Sequence, residues 1–262
     1  MNILETIVEQ KKKEVETAQK LVSIKELEKK PLFERPCLSL KKNLFDPAKT
    51  GIIAEFKRKS PSKGVINDKV SPQVITKAYA DNGASGISVL TDKEFFGGSL
   101  EDLEAATINN VPLLRKDFMI SDYQIIEAKA YGASVILLIA ACLTPEQVKS
   151  LATVAKGLGL EVLLEVHDET ELGHICQEVD LIGVNNRNLK TFKVDIENSL
   201  RLISQFPKDK AAISESGISE VETIVTLKKA GFNGFLIGEN FMRQPDPTIA
   251  FADFVQELKA KQ

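Results

Sequence analysis

From Gly51 onward one unit recurs along the chain: a short run rich in β-branched residues or Leu, a polar loop, a capped stretch of helix length, and a glycine before the next run. The runs are Ile52–Phe56, Gly86–Leu90, Pro112–Lys116, Ser134–Ile139, Glu161–Glu165, Leu181–Asn185, Ala211–Glu215 and Gly234–Gly238, eight in all. Most are apolar nearly throughout, as strands buried on both faces must be, and connections of helix length require parallel neighbours. Helix starts are written in capping chemistry at Ser71-Pro72, Ser121 with Gln124, Thr144-Pro145 with Gln147, Asp168 with Glu171, and Ser219 with Glu222. Gly83, Gly132, Gly157 and Gly231 stand where a left-handed residue closes a helix. Eight parallel strands can close or stay open, but no G-x-G-x-x-G follows the first run, so the fold expected is α/β, a (β/α)8 TIM barrel. The division expected is one domain over residues 1–262, with 1–50 a helical N-terminal extension and 51–262 the barrel. In the extension Ile3, Leu4, Ile7, Val8 and Val15 share a helix face, and Ser23 with Glu26 marks a second cap.

Composition narrows the function by exclusion. Thirty-four basic against 37 acidic residues, with the signs interspersed, leave no electrostatic footprint for nucleic acid. The longest apolar run, Val135 to Cys142, is too short to span a bilayer, and the first residues lack the apolar core of a secretion signal, so neither membrane nor export is expected. A cytoplasmic protein is the reading. Cys37, Cys142 and Cys176 are too widely spaced for a disulfide framework or metal cluster. With two histidines in all, His167 and His174, no metal site is expected and catalysis should fall to Lys and Glu. Neither histidine is assigned a role, both reading as surface residues beside or within a helix. The oligomeric state is open, with a monomer favoured.

In such a barrel active sites lie at the C-terminal mouth, and side chains alternate inward and outward along each strand. Glu55, Lys116, Glu165 and Glu215 end the first, third, fifth and seventh runs, each two residues after an apolar inward candidate: Ile53, Leu114, Leu163 and Ile213. Residues from alternate strands form layers, so these four are expected to cap the core as one polar layer. Lys57 follows Glu55 by two residues and Arg187 follows Asn185 by two, which places both on the same side if strand geometry continues. Ser216-Gly217 and Gly238-Glu239-Asn240, after the last two runs, occupy the usual place of a phosphate site built from backbone N–H groups. The basic loop Lys59-Ser60-Pro61-Ser62-Lys63-Gly64 is a further candidate, and Phe95-Phe96 after the second run can wall a ring-bearing substrate.

Taken together, Ile52-Ile53-Ala54-Glu55-Phe56-Lys57-Arg58-Lys59-Ser60-Pro61-Ser62, Leu114-Arg115-Lys116-Asp117-Phe118, Gly183-Val184-Asn185-Asn186-Arg187-Asn188-Leu189 and Ser214-Glu215-Ser216-Gly217-Ile218 resemble the indole-3-glycerol-phosphate synthases of tryptophan biosynthesis. The likeness extends through Gly238-Glu239-Asn240-Phe241-Met242-Arg243 and covers essentially the whole chain. It implies a lyase that closes the ring of 1-(2-carboxyphenylamino)-1-deoxyribulose 5-phosphate with loss of carbon dioxide and water, and without a cofactor. It implies that Lys116 acts as general acid at the substrate carbonyl and that Lys57 holds the anthranilate carboxylate and shares in proton transfer, the division of steps between the two lysines being left open by the sequence. Glu165 would serve in acid–base chemistry and Glu55 would position Lys57 or receive a proton during dehydration, while Asn185 and Glu215 orient hydroxyls. Arg187, Phe95, Phe118, Leu137 and Leu189 would line the substrate pocket. Phosphate would meet Ser60, Lys59, Ser216, Gly217, Gly238 and Glu239, the Glu239 carboxylate pointing away because it would repel the anion. The resemblance also makes the extension a cover over the barrel mouth. Two alternatives are another phosphate-binding barrel of the same pathway, such as the isomerase, and a non-catalytic binder of phosphorylated metabolites.

Overall fold

The computed structural model describes residues 3–188 and 191–261. Its centre is a closed barrel of eight parallel strands: β1 Ile52–Phe56, β2 Gly86–Leu90, β3 Leu113–Lys116, β4 Val135–Ile139, β5 Glu161–Val166, β6 Leu181–Asn185, β7 Ala211–Glu215 and β8 Gly234–Ile237. Each agrees with the expected run to within a residue at either end. The ring closes where β1 pairs with both β8 and β2, Ile53 standing opposite Leu236 on one side and Gly86 on the other.

Alternation along the strands divides the apolar residues into two packed layers. Ile53, Leu114, Leu163 and Ile213 belong to the inner one, with Leu137, Leu181 and Leu236, whereas Ile52, Ala54 and Phe56 face the surrounding helices. The inner layer is sealed at the N-terminal end by the helix Leu40–Phe45, whose Leu40 and Leu44 enter it from below. That helix is anchored by Glu161, whose carboxylate accepts hydrogen bonds from Ser39 Oγ and from the Leu40 and Lys41 N–H groups at 2.8 and 3.0 Å.

Most helix signals read from sequence are where chemistry put them. Thr144 and Gln147 form a reciprocal capping box, as do Ser23 and Glu26, and Ser71 and Ser121 stand at N-caps. Three differ. The helix after β7 starts at Val221 behind Glu220, one residue beyond Ser219, and Asp168 caps a 3₁₀ segment, Glu169–His174, instead of an α-helix. Gly157 is the last residue of its helix, and the left-handed turn falls on Gly159 at φ +75°.

The extension forms the helix Ile3–Leu21, lying across the C-terminal mouth with Ile7, Lys11 and Val15 buried. Lys11 pairs with Asp92 and Asp117 at 2.9 Å each and with Glu14 at 2.7 Å. A buried lysine needs such partners, because breaking a buried ion pair typically costs about 3–5 kcal/mol. Among the described residues no helix is long and apolar enough to cross a membrane.

Candidate active site

The ends of the odd strands meet as one layer of charge above the inner core. Lys116 Nζ lies 3.3 Å from Glu165 Oε2 and 3.7 Å from Glu215 Oε2, and Glu55 Oε1 pairs with Lys57 Nζ at 2.8 Å. Asn185 donates to Glu165 Oε1 at 3.2 Å, and its own Oδ1 accepts from the Arg187 N–H at 3.0 Å. The strands make room for this layer by omitting side chains. A Cβ at Gly183 would stand 2.1 Å from Glu215 Oε1, and one at Gly238 would stand 2.7 Å from Glu55 Oε1. Gly238 is therefore required first by the Glu55 carboxylate.

Burial sets the protonation states. It disfavours the Lys116 ammonium, but the charges of Glu165, Glu215 and Glu55 outweigh it and hold the pKa above the ordinary lysine range. Glu215 is pushed up, by burial first and by the Glu165 charge second, while at Glu165 the burial penalty is overcome by Lys116 and the pKa is lowered. With Lys57 paired to Glu55, Lys116 is left to balance both Glu165 and Glu215, and of those two it is Glu215 whose ionised form burial and the neighbouring charge disfavour.

Two contiguous basins open on this layer. The first, about 140 Å³, is walled by Phe96, Phe118, Leu90, Leu137 and Ile139, with Ile3, Leu4 and Ile7 of the extension as its roof. The second, about 370 Å³, lies over the ends of β7 and β8 and is lined by Ser216, Gly217, Gly238 and Glu239 together with Lys57, Lys63 and Arg187. Ser216 and Gly217 both have positive φ, +68° and +78°, and a Cβ on Gly217 would overlap Val194 Cγ1 at 2.2 Å. A non-glycine residue in that conformation is strained, a cost met more often at binding sites than elsewhere.

Three expectations need correction. Phe96, not Phe95, lines the apolar basin, its ring 6.1 Å from that of Phe118. The loop winds tightly around Asp92, whose Oδ1 accepts from both Phe N–H groups, and within such a turn neighbouring side chains diverge. Lys59 is turned away: its ammonium donates to the Glu94 carbonyl at 2.5 Å. It sits in a short hairpin, Lys59–Ser60 against Gly64–Val65, where alternation sends Ser60 to the cavity and Lys59 outward, leaving Lys63 on the anion basin. Glu239 does not point away. Its carboxylate stands in the basin, 3.4 Å from Arg187 Nη2 and 3.7 Å from Lys63 Nζ, because two cations there attract it. Leu189 lies outside the described residues.

Two residues escaped the sequence reading although a signal was present. His167 follows Glu165 by two residues, the spacing that brought Lys57 and Arg187 to the mouth, and its Nε2 lies 3.4 Å from Glu165 Oε1. Lys11 shares the four-residue spacing of Ile3, Ile7 and Val15, so it falls on the buried face. Phe192, which lines both basins, comes from a loop whose path gave no such cue.

A closed barrel with acid, base and ammonium groups at its C-terminal mouth, beside a cation-lined basin, defines a phosphate-binding (β/α)8 enzyme of the acid–base type. The family model of indole-3-glycerol phosphate synthase matches residues 4–254. An indole-3-glycerol phosphate synthase of Bacteroides thetaiotaomicron is 46% identical over 259 residues, covering 98% of this chain and 99% of the relative. That of Salinibacter ruber is 45% identical, covering 99% and 97%. The chain belongs to the indole-3-glycerol phosphate synthase family, a group of carboxy-lyases serving tryptophan biosynthesis. A tryptophan synthase α-subunit from Pyrococcus furiosus superposes with a TM-score of 0.61 at 15% identity, covering 81% of this chain and 98% of that one, a likeness of fold alone.

Proposed function

We propose that the charge layer performs the family's ring closure, with Lys116 as the central general acid. The observation that carries this reading is a half-buried ammonium held between two buried carboxylates, Glu165 and Glu215, at the floor of a basin apolar on one side and cationic on the other. The aromatic ring of the substrate enters between Phe118, Phe96 and Leu137 under the roof of Ile3, Leu4 and Ile7. Its phosphate enters the second basin, against Ser216, Gly217 and the backbone of Gly238 and Glu239, with Arg187 and Lys63 supplying charge. Ser60 borders the junction.

In that pose Lys57, steadied by Glu55, meets the substrate carboxylate, and Lys116 protonates the carbonyl oxygen as the ring carbon attacks it. The carboxylate leaves as carbon dioxide, its bonding electrons restoring the aromatic ring. Glu165 then protonates the departing hydroxyl, the C–H proton of the neighbouring ring carbon passes to a carboxylate of the layer, Glu55, as the indole double bond forms, and Asn185 and Glu215 orient the remaining hydroxyls. No step needs a cofactor. We also read the chain as one barrel domain, residues 51–262, carrying 1–50 as an extension, and as a cytoplasmic monomer without nucleic-acid or membrane partners. Incubation with the ribulose phosphate substrate should yield a product with indole ultraviolet absorbance and one equivalent of carbon dioxide. Binding without product would leave only a ligand-binding barrel.

A further inference from the structure

We propose that His167, with Glu171 behind it, is the proton inlet of the site, carrying protons from a polar groove to Glu165. The inference rests on the acid–base reading of Glu165. Its starting point is stoichiometry. Ring closure turns the carbonyl into a hydroxyl, which takes one proton. Expulsion of that hydroxyl as water takes a second, and loss of a C–H proton to form the indole double bond returns one. The carboxylate leaves as carbon dioxide without carrying a proton, so each turnover consumes one from solvent. Glu165 is 3% exposed and lies beneath a roofed cavity, so a route is needed.

The structure supplies a chain of groups from Glu165 outward. Glu165 Oε1 faces His167 Nε2 at 3.4 Å, and His167 Nδ1 faces Glu171 Oε2 at 3.2 Å, the same oxygen that accepts from the His167 N–H at 2.7 Å. Exposure rises along it, from 3% at Glu165 to 13% at His167 and 15% at Glu171. Beyond lies a groove of about 660 Å³ that His167, Asp168 and Glu171 line with Asn198 and Arg201. His167 Nε2 is buried without a well-formed hydrogen bond, and it faces the Glu165 carboxylate it would serve.

The transfer balances. At rest the imidazole holds both protons; as Glu165 passes a proton to the departing hydroxyl, the Nε2–H bond breaks and a new O–H bond forms on Glu165, after which the Nδ1 proton returns to the Nε2 side by ring rotation and a solvent proton entering through Glu171 recharges Nδ1. The groups facing the imidazole favour its cation. Burial opposes it, but the Glu171 hydrogen bond and the charges of Glu165, Glu171 and Glu215 prevail and raise the pKa. Lys116 is screened from the ring by Glu165, with which it pairs, and Arg201 is paired with Glu169. Asp168, next in the chain, adds negative charge, Asn198 donates to the His167 carbonyl, and Arg187 and Lys193 border the same groove.

The test is the pH profile of kcat for the wild type, His167→Asn, Glu171→Gln and Glu165→Gln, with folding followed by circular dichroism. His167→Asn should keep KM within about twofold and lose roughly 10- to 100-fold in kcat, less than the ~10²–10⁴ expected of Glu165 itself. It should also lose the alkaline limb, since delivery in the wild type fades as pH rises through the raised imidazole pKa. Added imidazole should restore part of the turnover of His167→Ala. Glu171→Gln should move the alkaline limb to lower pH by removing a hydrogen bond that favours the cation. A His167→Asn enzyme with wild-type kcat, or with a lowered kcat on an unchanged alkaline limb, overturns the proposal. If that variant fails to fold, Glu171→Gln decides, and an unmoved limb overturns it. Glu165→Gln with normal turnover is a different result, which breaks the reading of Glu165.

Discussion

Glu161 and Glu165 stand on one strand, four residues apart, and meet opposite ends of the same barrel. Glu161, at the floor, is met by a hydroxyl and two backbone N–H groups at the start of the helix Leu40–Phe45, donors that do not titrate in the physiological range. Glu165, at the mouth, is met by Lys116, Asn185 and His167, and two of those three can exchange a proton. Residue type does not separate the roles. A carboxylate satisfied by fixed amides holds structure together, whereas one balanced against ammonium and imidazole groups keeps a proton available.

The sharpest break of that contrast is to neutralise both ends. Lys116→Met and Glu165→Gln should fold and lose about 10²- to 10⁴-fold in kcat. Glu161→Ala should keep turnover within a few-fold and lose stability, roughly 1.5–3 kcal/mol for each charge-assisted hydrogen bond that water does not replace. Denaturant titration and steady-state kinetics on the same preparations check both. The opposite pattern, an inactive but stable Glu161→Ala, would undo the distinction between floor and mouth.

A second experiment asks whether the roof belongs with the mouth. Lys11→Met should cost about 3–5 kcal/mol near neutral pH by removing the buried ammonium that pairs with Asp92 and leaving Asp117 with Arg115 alone. Burial works against the Asp117 charge, but Lys11 and then Arg115 overcome it and bring its pKa down to about 2 from the ordinary 3.8. A depressed carboxylate stabilises the fold above its unfolded pKa, and this contribution is lost as pH falls from about 4 towards about 2. The difference between variant and wild type should therefore narrow as pH is lowered. Thermal melts across that range test it, and a pH-independent loss would assign Lys11 a packing role only.

The smallest effect is expected at the anion basin. Glu239→Gln removes a negative charge beside Arg187 and Lys63, so inorganic phosphate should compete with substrate several-fold more strongly, an effect that shrinks with added salt. Unchanged competition would mean that phosphate binds clear of that carboxylate.

Sequence by itself determined the strand count, most of the helix caps and the inward set Ile53, Leu114, Leu163 and Ile213, because alternation, capping and parallel connection are local rules that tertiary packing rarely overrode here. The same rule of two brought Glu55, Lys57, Lys116, Glu165 and Glu215 to one layer, and it would have brought His167 there too. The tertiary structure alone decided which of Phe95 and Phe96 faces the cavity, that Lys63 replaces Lys59 at the anion basin, and that Glu239 turns inward. It also decided that Lys11, one of three consecutive lysines, is buried. Those outcomes depend on loops and on charges from distant segments, Lys11 beside Asp92 and Asp117, Glu239 beside Lys63 and Arg187, and electrostatic pairing across such separations has no period along the chain for a sequence to display.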